Sequence, residues 1–488
     1  MPLAVRTRFL PLRTLTLVMF LLVCAASLFA ASVVADGVPQ PPNFLFLLSE
    51  SLDGRLLRED SSAKIPHIRA LLASGSVRFD AAYSNNPVCA PSRASLWSGR
   101  APHKIVHEHN GFTVNGAWNN YEGLSPDYSA RLDQLLNTSG YSTGVFGKTD
   151  WVMGGHSESC RLASMTFNVN WPYNTTAGGW NQEMQDCITS TVAPGGTGGA
   201  TGSQYAADWK IMDTAARFVA EQPEPAFAFA GTTILHPPYA TDSFWYAAAA
   251  ERAVPAVPPL STIHPCDLQA SMKHGCTVPQ FNDSTRIARV RRVYLAELEE
   301  FDAMVGAAVA TLKAAGRLDN TWIILSADHG DMQQEHQLFY KMVPYDASSR
   351  VPLVWANPSL GSARVVSQPT QLLDIFPTVL AAAGTAVPGY ADGHDLAPFL
   401  KGASIDPSRP YFVISQNHDE DISMSWFLVM NGTHKLVQCV FGGAGVVRHA
   451  VRSSEVLTTP CPLLFLGTEL GVKCPPSSST RTQTRTSP

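Results

Sequence analysis

The stretch Asn43-Phe44-Leu45-Phe46-Leu47-Leu48-Ser49-Glu50-Ser51-Leu52-Asp53-Gly54-Arg55 decides how this chain is built. Phe44 to Leu48 is an unbroken run of large apolar side chains, which suits a strand buried on both faces. It stops abruptly, and two acidic residues, Glu50 and Asp53, follow it. Further extended runs are predicted at Ser142 to Phe146, Phe227 to Thr233, Trp322 to Leu325 and Val351 to Trp355. Helical spacing is predicted at Arg131 to Leu136, Trp209 to Glu221, Thr285 to Ala315 and Gln371 to Ala383, with Gly316 and Gly384 as stops for the last two. Strands alternating with helices predict an α/β fold, a sheet flanked by helices on both faces. Paired apolar runs at Phe427 to Met430 and Lys435 to Val437 predict the hairpin of a smaller C-terminal part.

Open α/β sheets bind ligands in the crevice outside the carboxyl ends of their strands. The polar residues of interest fall there. Glu50 and Asp53 follow the first strand, Lys148 follows Val145-Phe146, and His236 follows the strand ending at Thr233; Asp328-His329-Gly330 follow Ile323-Ile324-Leu325. Another stretch, Cys89-Ala90-Pro91-Ser92-Arg93-Ala94-Ser95-Leu96-Trp97-Ser98-Gly99-Arg100, sets a thiol beside a proline that can open a helix. Arg93 falls one turn later and Gly99 closes the run. Cys89 would sit at the positive end of a helix dipole with Arg93 on the same face, a site suited to an anion. Taken alone, this is either an activated nucleophile beside an oxyanion pocket or a structural cysteine in a helix cap.

Composition bounds the rest. The chain has 488 residues, 45% of them apolar, and a net charge of −5, so no basic excess argues for nucleic acid. Arg6, Arg8 and Arg13 precede an apolar run from Leu15 to Val34, and small residues before Asp36 complete a secretory signal predicted over 1–35. No comparable apolar run follows, which predicts no stable membrane insertion once the signal is cleaved. Sequons at Asn137, Asn174, Asn282 and Asn431 agree with the secretory pathway, ending in lysosome or extracellular space. Of nine cysteines, Cys24 leaves with the signal and Cys89 is discussed above. Local disulfides Cys160 with Cys187 and Cys266 with Cys276 are reasonable in an oxidising compartment, and an odd number leaves Cys439, Cys461 or Cys474 free or paired between chains. The serine- and threonine-rich segment 473–488 is predicted to be disordered.

The run from Cys89 through Gly99 resembles the signature of the type I sulfatases, Cys-x-Pro-Ser-Arg followed at fixed spacing by leucine and glycine. SESLDGR at Ser49 to Arg55, FGKTDW at Phe146 to Trp151, HPP at His236 to Pro238, PLSTIHP at Pro259 to Pro265 and SADHGDMQQEHQLFYKM at Ser326 to Met342 are similar to one branch of the arylsulfatases, in the same order. The resemblance implies an alkaline-phosphatase-like fold: a large mixed sheet flanked by helices over 43–400, a smaller α+β part over 410–472. It implies that Cys89 is oxidised to formylglycine (3-oxoalanine) by the formylglycine-generating enzyme, and that the hydrated aldehyde attacks sulfur. Glu50, Cys89, Asp328 and His329 would bind one calcium ion. Lys148, His264 and Lys341 would contact the substrate, a sulfated carbohydrate such as a 2-O-sulfated uronate of a glycosaminoglycan.

The chemistry required agrees with those residue types. Carboxylate oxygens suit a hard cation, Arg93, Lys148 and Lys341 can cancel charge on the sulfate oxygens, and His236 or His264 can protonate the leaving alcohol. One departure stands out: the family places aspartate where this chain has Glu50, and Asp53 is then a candidate to complete the metal shell. Glu335 and His336 are predicted to be structural residues of the loop after Asp328-His329. Two other readings remain: a phosphodiesterase of the same superfold, and a catalytically inactive sulfatase-like protein that binds sulfated glycans.

Overall fold

Seven strands form the central sheet: Asn43–Ser49 (β1), Ser76–Phe79 (β2), Ser142–Gly147 (β3), Ala226–Gly231 (β4), Thr321–Ala327 (β5), Leu353–Ala356 (β6) and Ala363–Val366 (β7), in the order β7-β2-β6-β5-β1-β4-β3. The computed structural model describes residues 41–452 apart from 110–111, 121, 126, 153–189, 255–282, 339, 405–412, 418–424, 432–433 and 442–444. The signal, the C-terminal tail, His264, the Asn174 and Asn282 sequons, and Cys160, Cys187, Cys266, Cys276, Cys461 and Cys474 lie outside the described residues.

Strands β5, β1, β4 and β3 are parallel neighbours, while β6 runs antiparallel to both β5 and β2, so the sheet is mixed. Side chains alternate between faces along a strand, and the register shows what each face meets. Phe44 and Phe46 of β1 lie beside Phe227 and Phe229 of β4. Those rings turn to Trp97 of helix Cys89–Ser98 (α2), whose indole lies 5.1 Å from Phe229 and 4.2 Å from Trp151 between ring centroids. The opposite face of β3 presents Phe146 to Phe218 of helix Ala206–Glu221 (α4), 5.6 Å away. Helices thus cover both faces. That is why all seven residues of β1 are buried and its sequence is continuously apolar rather than alternating.

Other helices among the described residues include Pro66–Ala73 (α1), Leu132–Thr138 (α3), Ser284–Ala314 (α5) and Ile375–Ala382 (α6). The Asp283 carboxylate accepts from the Arg286 N–H and caps α5. Two predicted elements need correction. Val351 to Trp355 is not one strand: Pro352 has no N–H to donate, and the chain changes sheets there. Arg350–Val351 pairs with Ala82–Tyr83, and only Leu353–Ala356 joins the central sheet. Gln371 to Ala383 is not one helix either, because Leu372–Asp374 is a 3-10 turn that precedes α6.

Val413–Asn417 (β8), Ser425–Met430 (β9), His434–Phe441 (β10) and Gly445–Arg452 (β11) form a four-stranded antiparallel sheet. The predicted hairpin is its middle pair. Trp426, Leu428 and Met430 point inward with Val413 and Val437 against Tyr83, while Phe427 and Val429 face outward. This second small core joins the C-terminal sheet to the larger body.

Candidate active site and metal centre

The parallel strands β5, β1, β4 and β3 end level with one another, with Ser49 opposite Ala327, Leu48 opposite Gly231, and Gly147 opposite Gly231. The next residues out are Asp328-His329, Glu50, Thr232 and Lys148, so four distant segments meet at one carboxyl edge. Cys89 reaches the same place from above, as the first residue of α2, capped by extended Val88. Gly99 ends that helix at φ 66°, a left-handed turn that glycine adopts without Cβ strain. Pro91 sits in its first turn, where a missing N–H costs nothing.

The Glu50 carboxylate is the hub. Its Oε1 accepts from Cys89 Sγ at 3.0 Å and lies 3.4 Å from His329 Nε2 and 3.7 Å from Lys341 Nζ. Its Oε2 accepts from Arg93 Nη2 and lies against Lys148 Nζ, each at 2.7 Å. Arg93 also donates Nε to Asp328 Oδ2 at 2.8 Å and Nη1 to the Lys148 carbonyl at 2.8 Å. Lys341 Nζ donates to Cys89 Sγ at 2.9 Å and lies 3.5 Å from His236 Nε2. Lys148 Nζ has a second anionic neighbour in Asp150, at 3.2 Å. Glu50, Cys89, Arg93, Asp328 and His329 are fully buried.

Burial would raise the Glu50 carboxyl, but Lys148, Arg93 and Lys341 hold it well below the usual carboxylate range. Burial and Glu50 push the Cys89 thiol up, and Lys148, Lys341 and His329 outweigh them and bring it well down. Asp328 is pushed up by burial and by Glu50. His329 resists burial, which would lower it, because Asp328 raises it to about 9. Burial and the Lys341 charge keep His236 below its ordinary value.

Ligand atoms of Glu50, Cys89, Asp328 and His329 all lie within 4.8 Å of one another. Oxygen ligands of a calcium ion stand about 2.3–2.6 Å from it, so two of them are at most about 5 Å apart. The quartet therefore fits a single ion, with two carboxylates among its donors. Second contacts hold the ligands in place: Asp328 Oδ1 accepts the N–H groups of Ser51 and His329, His329 Nδ1 faces the Gly330 carbonyl at 2.9 Å, and Ser92 Oγ donates to the Asp328 carbonyl. A Cβ on Gly330 would meet the Ala347 carbonyl at 2.0 Å, which explains glycine after this histidine.

Asp53 does not join the cluster. Its carboxylate is taken by Arg55, which also pairs with Glu335. Glu335 is thereby a tether for its loop, and His336 stacks on Tyr345 at 4.3 Å, so both have structural roles as expected. Sequence reasoning missed Tyr294, whose hydroxyl donates to the Ser51 carbonyl at 2.7 Å and accepts from the Asp53 N–H. It lay within the apolar stripe of α5, where only the need of a buried phenol for a partner marks it. Asp331, which accepts from the Tyr239 hydroxyl at 2.8 Å, was likewise passed over.

Among the described residues, no helix is long and apolar enough to cross a membrane. The family profile named Sulfatase matches residues 42–385. Arylsulfatase K of Bos taurus is 31% identical over 449 residues, covering 85% of this chain and 78% of that protein. Arylsulfatase K of Xenopus laevis is 30% identical over 423 residues, covering 81% and 74%. Among solved structures, the phosphonate monoester hydrolase of Silicibacter pomeroyi superposes with a TM-score of 0.66 at 22% identity, over 84% of this chain and 89% of that one. BT1596, a 2-O GAG sulfatase, does so with a TM-score of 0.62 at 22% identity, over 85% of each. Those two likenesses establish the alkaline-phosphatase-like fold, and the profile and the relatives establish more: the chain belongs to the sulfatase family and is an enzyme that hydrolyses sulfate esters.

Proposed function

We propose that this sulfatase works through a formylglycine made from Cys89 and removes sulfate from a sugar, with a 2-O-sulfated uronate of a glycosaminoglycan as the favoured substrate class. One observation carries the mechanism: Cys89 Sγ stands where Glu50, His329 and Lys341 converge, at the start of a buried helix. A cysteine kept only for structure has no need of two carboxylates, a histidine and three cations around it. The description of BT1596 as a 2-O GAG sulfatase supports the sugar substrate.

Hydration of the aldehyde puts two hydroxyl groups on one carbon. One loses its proton and its oxygen attacks sulfur in line. The bond from sulfur to the sugar oxygen breaks with its electron pair, and that oxygen takes a proton. The second hydroxyl is then deprotonated, its oxygen re-forms the carbonyl, and the bond to sulfate breaks, releasing inorganic sulfate and the aldehyde. Lys341, Lys148 and Arg93 stabilise the charge that grows on the sulfate oxygens. His236 or His264 donates the proton to the leaving oxygen; a bound sulfate would offset the Lys341 charge that helps to lower His236. Glu50, Asp328, His329 and the oxidised residue 89 would hold one calcium ion, which would supply a fixed positive charge to the site.

Oxidation of Cys89 requires the formylglycine-generating enzyme and hence passage through the secretory pathway, with lysosome or extracellular space as destination. The Asn137 and Asn431 side chains are both exposed, which supports that route. Mass spectrometry of the peptide containing residue 89 is expected to find formylglycine. Calcium-dependent turnover of an aryl sulfate is expected to vanish in Cys89→Ala. An unmodified thiol in a fully active enzyme would refute the mechanism.

A further inference from the structure

The loop that delivers Lys341 is bent into conformations that side chains other than glycine resist. Gln333, Gln334 and His336 have positive φ, and the two neighbours of the lysine, Tyr340 and Met342, stand at 63° and 73°. Such residues persist only where their surroundings over-determine them. For Met342, one support comes from the catalytic body: its N–H donates to the Pro87 carbonyl at 3.2 Å, in the turn that leads to Cys89. The other support comes from the C-terminal sheet. The Met342 carbonyl accepts from the indole Nε1 of Trp426, on β9, at 2.8 Å. Two residues on, the Pro344 carbonyl accepts from Lys435 Nζ, on β10, at 3.1 Å. That ammonium also pairs with Asp346 and lies 5.0 Å from the centroid of the Tyr83 ring. Trp426 and Lys435 are both buried.

We propose that the C-terminal sheet belongs to the catalytic apparatus: Trp426 is a positioning residue that, through the Met342 carbonyl, fixes where the Lys341 ammonium meets the sulfate. The inference rests on the role given to Lys341 above. Loss of the indole N–H removes one of the hydrogen bonds that hold Met342 in its left-handed conformation, and the loop relaxes there. Lys341, one residue earlier, then swings off the position that now places its Nζ 2.9 Å from Cys89 Sγ. A shift of this kind weakens the grip on sulfate without touching any ligand-binding group directly.

The test is a double-mutant cycle on the matured, calcium-loaded enzyme: wild type, Trp426→Phe, Lys341→Ala and the two combined. Two quantities are read, kcat/KM for an aryl sulfate and the affinity for inorganic sulfate by calorimetry. Trp426→Phe keeps an aromatic ring in place and removes the donor together with part of the ring volume. In the parent it is expected to lower both by about tenfold, and to lower neither further once Lys341 is alanine. An equal loss in both backgrounds, or no loss in either, overturns the proposal. Trp322→Phe, at the end of β5 remote from the site, is the control for destabilisation alone and is expected to leave kcat/KM unchanged. If Trp426→Phe does not fold, Lys435→Met runs the same cycle through the Pro344 carbonyl. A wild type that binds sulfate but turns over no aryl sulfate refutes the formylglycine mechanism, while the affinity cycle still decides the role of Trp426. A wild type that also fails to bind sulfate overturns both.

Discussion

Glu50 concentrates the electrostatics of the site in one side chain. Two of its cationic neighbours, Arg93 and Lys148, touch Oε2, and its other oxygen faces Cys89, His329 and Lys341. A buried carboxylate is tolerated only when paired in this way. Ser51, at φ 52°, turns the chain immediately after Glu50. Asp53 is meanwhile committed to Arg55, so the longer side chain at position 50 replaces nothing and needs no helper. Glu50→Gln keeps the shape and removes the charge. Calcium affinity by calorimetry is expected to fall at least about tenfold, and kcat/KM with it. Unchanged affinity would remove Glu50 from the metal set.

At the scale of elements, helix α2 is held by aromatic contacts rather than by its own propensity. Trp97 lies against Trp151, Phe227 and Phe229, and every residue of α2 is buried. Trp97→Ala removes the largest contact between helix and sheet and is expected to cost about 3–5 kcal/mol, read as a lower denaturant midpoint. Because Cys89 is the first residue of that helix, activity should fall in the fraction still folded. The same elements show what could be read beforehand. Strands β1, β4 and β5 were visible because each is a buried, largely apolar run, and β3 through Val145-Phe146; their polar successors, Glu50, Lys148 and Asp328-His329, were legible from position alone. Strands Ser76–Phe79 and Ala363–Val366 were not read at all: they are short, and arginines at 78 and 364 interrupt their apolar character. The loop from Met332 to Met342 was recognised only by its motif. Its geometry depends on Trp426 and Arg55, residues far away in sequence, and no local pattern encodes such tertiary support.

The whole molecule carries further buried acids that burial makes harder to ionise. Asp208, which accepts the N–H groups of Thr233 and Ile234, is pushed up to about 6 by burial. Glu300, bonded to Trp209 Nε1, is pushed up to about 7 by burial. Burial likewise raises Asp374, to about 6. In an unfolded chain these groups lose their protons near pH 4. Between about pH 4 and 7 the native state therefore holds more protons than the unfolded one, and stability falls as pH rises through that window. Asp346 works in the opposite sense: burial would raise it, but Lys435 and Arg350 bring it to about 2. Its contribution is complete above about pH 4 and is lost only as the pH drops towards 2. The two trends together predict greater stability at mildly acidic pH than at neutral pH. Thermal melting is expected to occur at a higher temperature at pH 5 than at pH 7, and Glu300→Gln should narrow that difference. A melting temperature that rises from pH 5 to pH 7 would show that the buried acids do not govern the profile.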